Sequence, residues 1–147
     1  MTNKFFSEIH GRFGFGCMRL SMVNGEADMP QFCKMVDAFH ASGFNYFDTA
    51  HGYLGGKSEL ALREGLTSPY PRDKYILTNK LSTHFFTGEE QSRPLFEQQI
   101  EACGVEYFDF YLMHGQDGAI YGSHRRLPGF GNQGRRVKHE NRSEFAD

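Results

Sequence analysis

Four polar side chains of complementary chemistry stand at the ends of separate segments: Asp48 in FNYFDTA, Tyr53 in HGYLGG, Lys80 in YILTNKL and His114 in YFDFYLMH. A carboxylate, a phenol, an ammonium and an imidazole are the set that makes a phenol give a proton to a polarised carbonyl. An ammonium beside a phenol favours its ionised form, a carboxylate holds the ammonium in place, and an imidazole hydrogen-bonds the carbonyl oxygen. Taken singly, each has an ordinary reading. Asp48 before Thr49 suits a turn, Tyr53 suits loop packing, Lys80 a solvated strand end and His114 a strand edge. Coincidence explains the four together poorly.

The elements that must position them alternate. RFGFGCMRL, residues 12–20, reads as a short buried strand, and SMVNGEAD is turn-like. A helix follows, with Asp28 as cap, Pro30 in its first turn, an apolar face of Phe32, Met35, Val36 and Phe39, and Gly43 to stop it. FNYFD is an aromatic strand, TAHGYLGG a loop, and a second helix is expected from Ser58 to Leu66 with Ser58 as its cap. SPYPRD breaks the chain, KYILTNK is a third strand, and a third helix is expected from Pro94 to Cys103, facing inward with Phe96, Ile100 and Cys103. Gly104 ends it, and YFDFYLM is a fourth strand.

Strands alternating with amphipathic helices imply an α/β fold with right-handed crossovers and a parallel sheet. In such folds functional groups gather at the carboxyl ends of the strands and in the loops beyond them. Asp48, Lys80 and His114 fall at such ends, and Tyr53 lies five residues beyond Asp48. Element order alone leaves open a small doubly wound sheet or the first half of an eight-stranded barrel.

At 147 residues the chain has the length of one domain, and 39% hydrophobic content with 15% aromatics is enough for a core. A net charge of −2 and the absence of a basic stripe in the main body argue against nucleic acid or an acidic membrane as partner. Cys17, Cys33 and Cys103 form no CxxC pair, which argues against a disulfide framework or a structural zinc and points to the reducing cytoplasm. His10, His40, His51 and His84 show no ligand spacing, so no metal is expected. His51, between Asp48 and Tyr53, is expected at the pocket mouth. No stretch nears the ~20 apolar residues of a membrane span.

The segments GFGCMRL, FNYFDTAHGYLGGKSELALREGL, ILTNKL and CGVEYFDFYLMH resemble the first half of the aldo/keto reductases, over about residues 13–114. Asp48, Tyr53, Lys80 and His114 match that family's catalytic tetrad in order. The resemblance implies a partial (β/α)8 TIM barrel, with about four parallel strands and three helices, followed by an irregular tail. It implies hydride transfer between NADPH, or NADH, and a small aldehyde or ketone, with Tyr53 as proton donor, Asp48 pairing with Lys80, and His114 on the carbonyl oxygen. Gly16, Cys17, Met18 and Arg19, together with Asp48, would border the nicotinamide. GFGCMR is not read as a dinucleotide-binding loop, because the third glycine of GxGxxG is absent. The wording also resembles a branch that often carries a C-terminal iron-sulfur region, but no cysteine follows Cys103, so that cluster is not carried over.

The pattern changes after His114. Residues 1–114 carry 10 Lys+Arg against 14 Asp+Glu, and residues 115–147 carry 6 against 4, with six glycines and no clear period. The expected organisation is a half barrel over 1–114 and an irregular Gly/Arg-rich, disordered tail over 115–147, as a frameshift or gene truncation would leave. Half a barrel exposes two sheet edges and invites self-association. Two readings follow: a truncated aldo/keto reductase, or a catalytically silent half-barrel fragment or assembly partner.

Overall fold

A computed structural model describes residues 7–115 and 137–138. Its centre is a four-stranded parallel sheet in the order β1 (Gly14–Gly16), β4 (Tyr46–Asp48), β5 (Ile76–Ser82), β7 (Phe110–His114). Helices α1 (Met29–Ala41), α2 (Lys57–Leu62) and α3 (Glu89–Cys103) follow the first three of these strands. The alternation expected from the sequence is therefore present, as an α/β sheet.

Helix α1 forms where its signals stand. The Asp28 carboxylate accepts from Gln31 N at 3.1 Å, proline occupies the first turn, and Phe32, Val36 and Phe39 are buried. Met35, expected on that face, is instead 46% exposed, since it lies beside the open edge of β1 rather than under the sheet. Phe15 of β1 packs edge-on against Phe32 and Phe39 and stacks on Phe47 of β4, so one aromatic cluster joins α1 to two strands.

Several boundaries differ from the sequence reading, each for a local reason. The first strand is only Gly14–Gly16, and VNGE closes a two-stranded hairpin of β2 (Met22–Val23) and β3 (Glu26–Ala27), because Asn24 and Gly25 adopt the left-handed conformation (φ 51° and 81°) that tight hairpins need. Ser58 is not a cap: its side chain is buried and bonded to Cys17 O and Thr49 Oγ1, and the second helix is a short α2 continued by a π-helical turn, Arg63–Thr67. The third helix begins at Glu89, before Pro94, with Gly88 as its N-cap, and the Gln91 side chain of its first turn accepts from Thr87 N at 2.8 Å. The fourth strand is split into β6 (Tyr107–Phe108) and β7 by Asp109. That carboxylate turns inward to accept from Leu77 N at 2.8 Å and Arg72 Nη2 at 2.6 Å, while Arg72 lies over the Tyr107 ring.

β6 also pairs antiparallel with β8 (Val137–Lys138). Apart from that pair and Gly115, the tail expected over 115–147 lies outside the described residues. Among the described residues, no helix is long and apolar enough to cross a membrane.

Candidate active site

All seven residues of β5 are buried, and alternation divides them between two faces. Leu77, Asn79 and Leu81 face the helices; Asn79 bonds to Glu59 of α2 and Gln99 of α3. Thr78, Lys80 and Ser82 take the opposite face. The parallel register then puts Gly16, Asp48 and His114 on the face of Lys80, through the pairings Gly16↔Asp48, Asp48↔Thr78 and Ser82↔His114. Three of the four candidate catalytic residues thus share the helix-free side, at the carboxyl end of the sheet.

The side chains meet there. Lys80 Nζ donates to Asp48 Oδ1 at 2.6 Å and to Thr49 O at 2.7 Å, and it stands 4.9 Å from the centre of the Tyr53 ring. The rings of Tyr53 and His114 are 6.1 Å apart and nearly perpendicular. His114 Nδ1 lies 2.9 Å from Ser82 Oγ. Burial and then the Lys80 ammonium push the His114 imidazole below its ordinary titration, with Asp48 opposing. The neutral form of the ring is thereby favoured.

Tyr53 is presented by an unusual stretch of backbone. Leu54, Gly55 and Gly56 are all left-handed, with φ of 54°, 65° and 90°. Two consecutive glycines make this turn possible at the point where the chain must enter α2. On its far side Lys57 bonds to Glu26 Oε1 at 2.6 Å and to Gly25 O, which ties the β2–β3 hairpin to the loop that carries Tyr53.

The residues expected at the nicotinamide divide in character. Gly16 ends β1 opposite Asp48, and a side chain placed on it would meet nothing within 4 Å. Met18 is 51% exposed and Arg19 is exposed just beyond it. Cys17 is fully buried, and burial raises its thiol far above the ordinary range, so only its backbone can face a ligand. Its carbonyl already accepts from Ser58 Oγ at 2.9 Å.

Sequence reasoning missed the groups that hold this arrangement: Thr49, Ser58, Glu59, Asn79, Ser82 and Gln99. The available signal was polar residues inside a strand or helix face that is otherwise apolar, most visibly Thr78-Asn79-Lys80 within ILTNKL.

The model of the aldo/keto reductase family matches residues 12–126. The chain belongs to this family. The match continues beyond His114, where the motif resemblance stopped. Among curated relatives, 4-dihydromethyl-trisporate dehydrogenase of Mucor mucedo is 32% identical over 106 residues, which cover 69% of this chain and 30% of that protein. Norsolorinic acid reductase B of Aspergillus parasiticus is 35% identical over 106 residues, covering 63% of this chain and 28% of its own length. Among solved structures, an aldo-keto reductase from Klebsiella pneumoniae in complex with NADPH aligns with a TM-score of 0.60 at 21% identity, covering 78% of this chain and 40% of that one. The aldo/keto reductase sheet described here is thus a partial barrel, and the chain spans about 30% of the length of those curated relatives.

Proposed function

We propose that this chain carries the proton-donating half of an aldo/keto reductase site, in which Tyr53 protonates the oxygen of a small aldehyde or ketone. The observation that carries this reading is the position of Lys80 Nζ, held by Asp48 at 2.6 Å and lying 4.9 Å from the Tyr53 ring centre. A buried ammonium beside a phenol stabilises the phenolate left after proton transfer. Asp48 keeps that ammonium paired and oriented. His114 hydrogen-bonds the carbonyl oxygen: in the tautomer whose Nδ1 accepts from the Ser82 hydroxyl, Nε2–H donates where charge develops.

The open backbone at Gly16 and the exposed Met18 and Arg19, beside Asp48, fit the nicotinamide end of NADPH, or of NADH. The bound cofactor supplies the hydride, and the task of these residues is to place the carbonyl and move its proton. Three free cysteines, two of them buried, suit a cytoplasmic setting, and no nucleic-acid partner is invoked. A fluorescence titration with NADPH tests the reading. Saturable binding supports it, and its absence refutes it for the chain on its own.

A second reading rests on the open sides of the sheet. β1 and β7 are edge strands among the described residues, and beside β1 lies an apolar groove of about 450 Å³ lined by Phe13, Met35, Phe39 and Phe44. Unpaired parallel edges favour association, so the half barrel would serve as an assembly partner, for a second copy or for a separate second half. Mass measurement in solution separates a monomer from an assembly.

A further inference from the structure

The buried polar network beneath the sheet includes one carboxylate that touches both the strand carrying Lys80 and the loop carrying Tyr53. Glu59 is 1% exposed. Its Oε1 accepts from Asn79 Nδ2 at 2.8 Å and Gln99 Nε2 at 3.2 Å, and its Oε2 lies 2.9 Å from His51 Nδ1. Asn79 Oδ1 in turn accepts from Lys80 N at 2.8 Å, and Gln99 Nε2 reaches Lys80 O at 3.1 Å. Through Asn79 and Gln99, this one buried carboxylate is therefore linked to the backbone on both sides of the Lys80 side chain.

The other arm leads to the proton donor. His51 and Gly52 form the corner of a turn closed by Tyr53 N donating to Ala50 O at 3.0 Å. The Phe85 ring meets His51 edge-on at 4.9 Å and covers Gly52, where an added side chain would clash at 2.8 Å. The turn is thus pressed from one side by Phe85 and tethered on the other by Glu59. A carboxylate can only accept, so a ring bonded to it must carry its proton on Nδ1. His51 Nε2 has no partner among the described residues, so Glu59 alone selects the tautomer.

We propose that Glu59 is a positioning residue for Tyr53: it fixes His51 as the Nδ1–H tautomer and, through that single bond, sets the turn that aims the Tyr53 ring at His114. The assignment of a role to Tyr53 rests on the reductase reading, but the geometry is testable without cofactor or turnover. The whole chain, labelled with ¹⁵N at histidine, is studied by two-bond ¹⁵N–¹H correlation under alkaline conditions. His51 is expected as the Nδ1–H form. In Glu59→Gln, whose oxygen is held by the Asn79 and Gln99 amides so that its N–H faces Nδ1, the Nε2–H form is expected. A wild-type Nε2–H signal, or an unchanged tautomer in Glu59→Gln, overturns the proposal.

The link to Tyr53 is read from the through-space cross-peaks between the Tyr53 and His114 rings. His51→Ala should lose them, and His51→Gln, whose amide can still donate to Glu59, should keep them. Retention in His51→Ala overturns the positioning role. Since neither readout needs NADPH, a chain that binds no cofactor can still pass this test, and one that binds it can fail.

Discussion

Lys80 reaches across from β5 to the carboxylate that ends β4, placing its Nζ 2.6 Å from Asp48 Oδ1 with the lysine side chain only 11% exposed. Removing one partner of so covered a pair leaves the other charge poorly solvated. Asp48→Ala should therefore lower stability by about 1–3 kcal/mol, the range reflecting the partial exposure of Asp48. The double variant Asp48→Ala/Lys80→Met should recover part of that loss, because no charge is then stranded. Urea denaturation of the four members of the cycle measures the coupling.

The left-handed turn after Tyr53 gives a cleaner backbone test. Gly55 has a φ of 65° and open space around any added side chain, so a substitution there meets only conformational strain. Gly55→Ala should cost about 1–2 kcal/mol, and Gly55→Asn should cost less, since asparagine tolerates this conformation. Equal losses from the two, read from thermal melts, would contradict the argument.

The buried network should respond in proportion to the partners stranded. Asn79→Ala removes a donor to Glu59, the acceptor for Gln99 and the acceptor for Lys80 N, and should cost about 3 kcal/mol or more. Tyr111→Phe removes only the hydroxyl that donates to Gln99 Oε1, and should cost about 1–2 kcal/mol. Denaturant midpoints at matched slopes test the ranking.

Acid should weaken the fold through two histidines. Burial lowers the titration of His40, whose buried Nε2 has no hydrogen-bond partner among the described residues, and of His114, where Lys80 adds to the effect. For a base lowered in the folded state, the unfolded chain binds the proton more readily. Stability then falls as pH drops through the ordinary value of 6.5 and levels off below the lowered one. His40→Phe, which keeps a ring against Phe47 and Tyr70, should shrink that acid-side decline in melting temperature. An unchanged decline would contradict it.

Much of this arrangement was legible in the residues. The cap at Asp28 and the face of Phe32, Val36 and Phe39 obey local rules that tertiary contacts reinforce. Placing Asp48 and His114 at strand ends then follows from the parallel α/β pattern, whereas the third strand, read as ending at Lys80, runs two residues further, to Ser82. What escaped depended on contacts distant in sequence. Ser58 looks like a cap until Cys17 O, 41 residues away, claims its hydroxyl. Asp109 looks like one more position in a strand until it takes the Leu77 amide and Arg72. Glu59 could not be distinguished from a solvated helix residue, because its partners come from a loop, a strand and a helix. The hairpin at Asn24-Gly25 was within reach of local turn chemistry, since that dipeptide demands positive φ at both positions.

The role proposed for Tyr53 is to donate the proton in the site that Asp48, Lys80 and His114 assemble. The decisive measurement is the loss of NADPH absorbance on adding a small aldehyde to the purified chain, with Tyr53→Phe in parallel and the folded state of both checked by circular dichroism. The expected result is aldehyde-dependent oxidation by the wild type that falls at least ~100-fold in Tyr53→Phe. Turnover that survives Tyr53→Phe, or no turnover by a folded wild-type chain that binds NADPH, would contradict it.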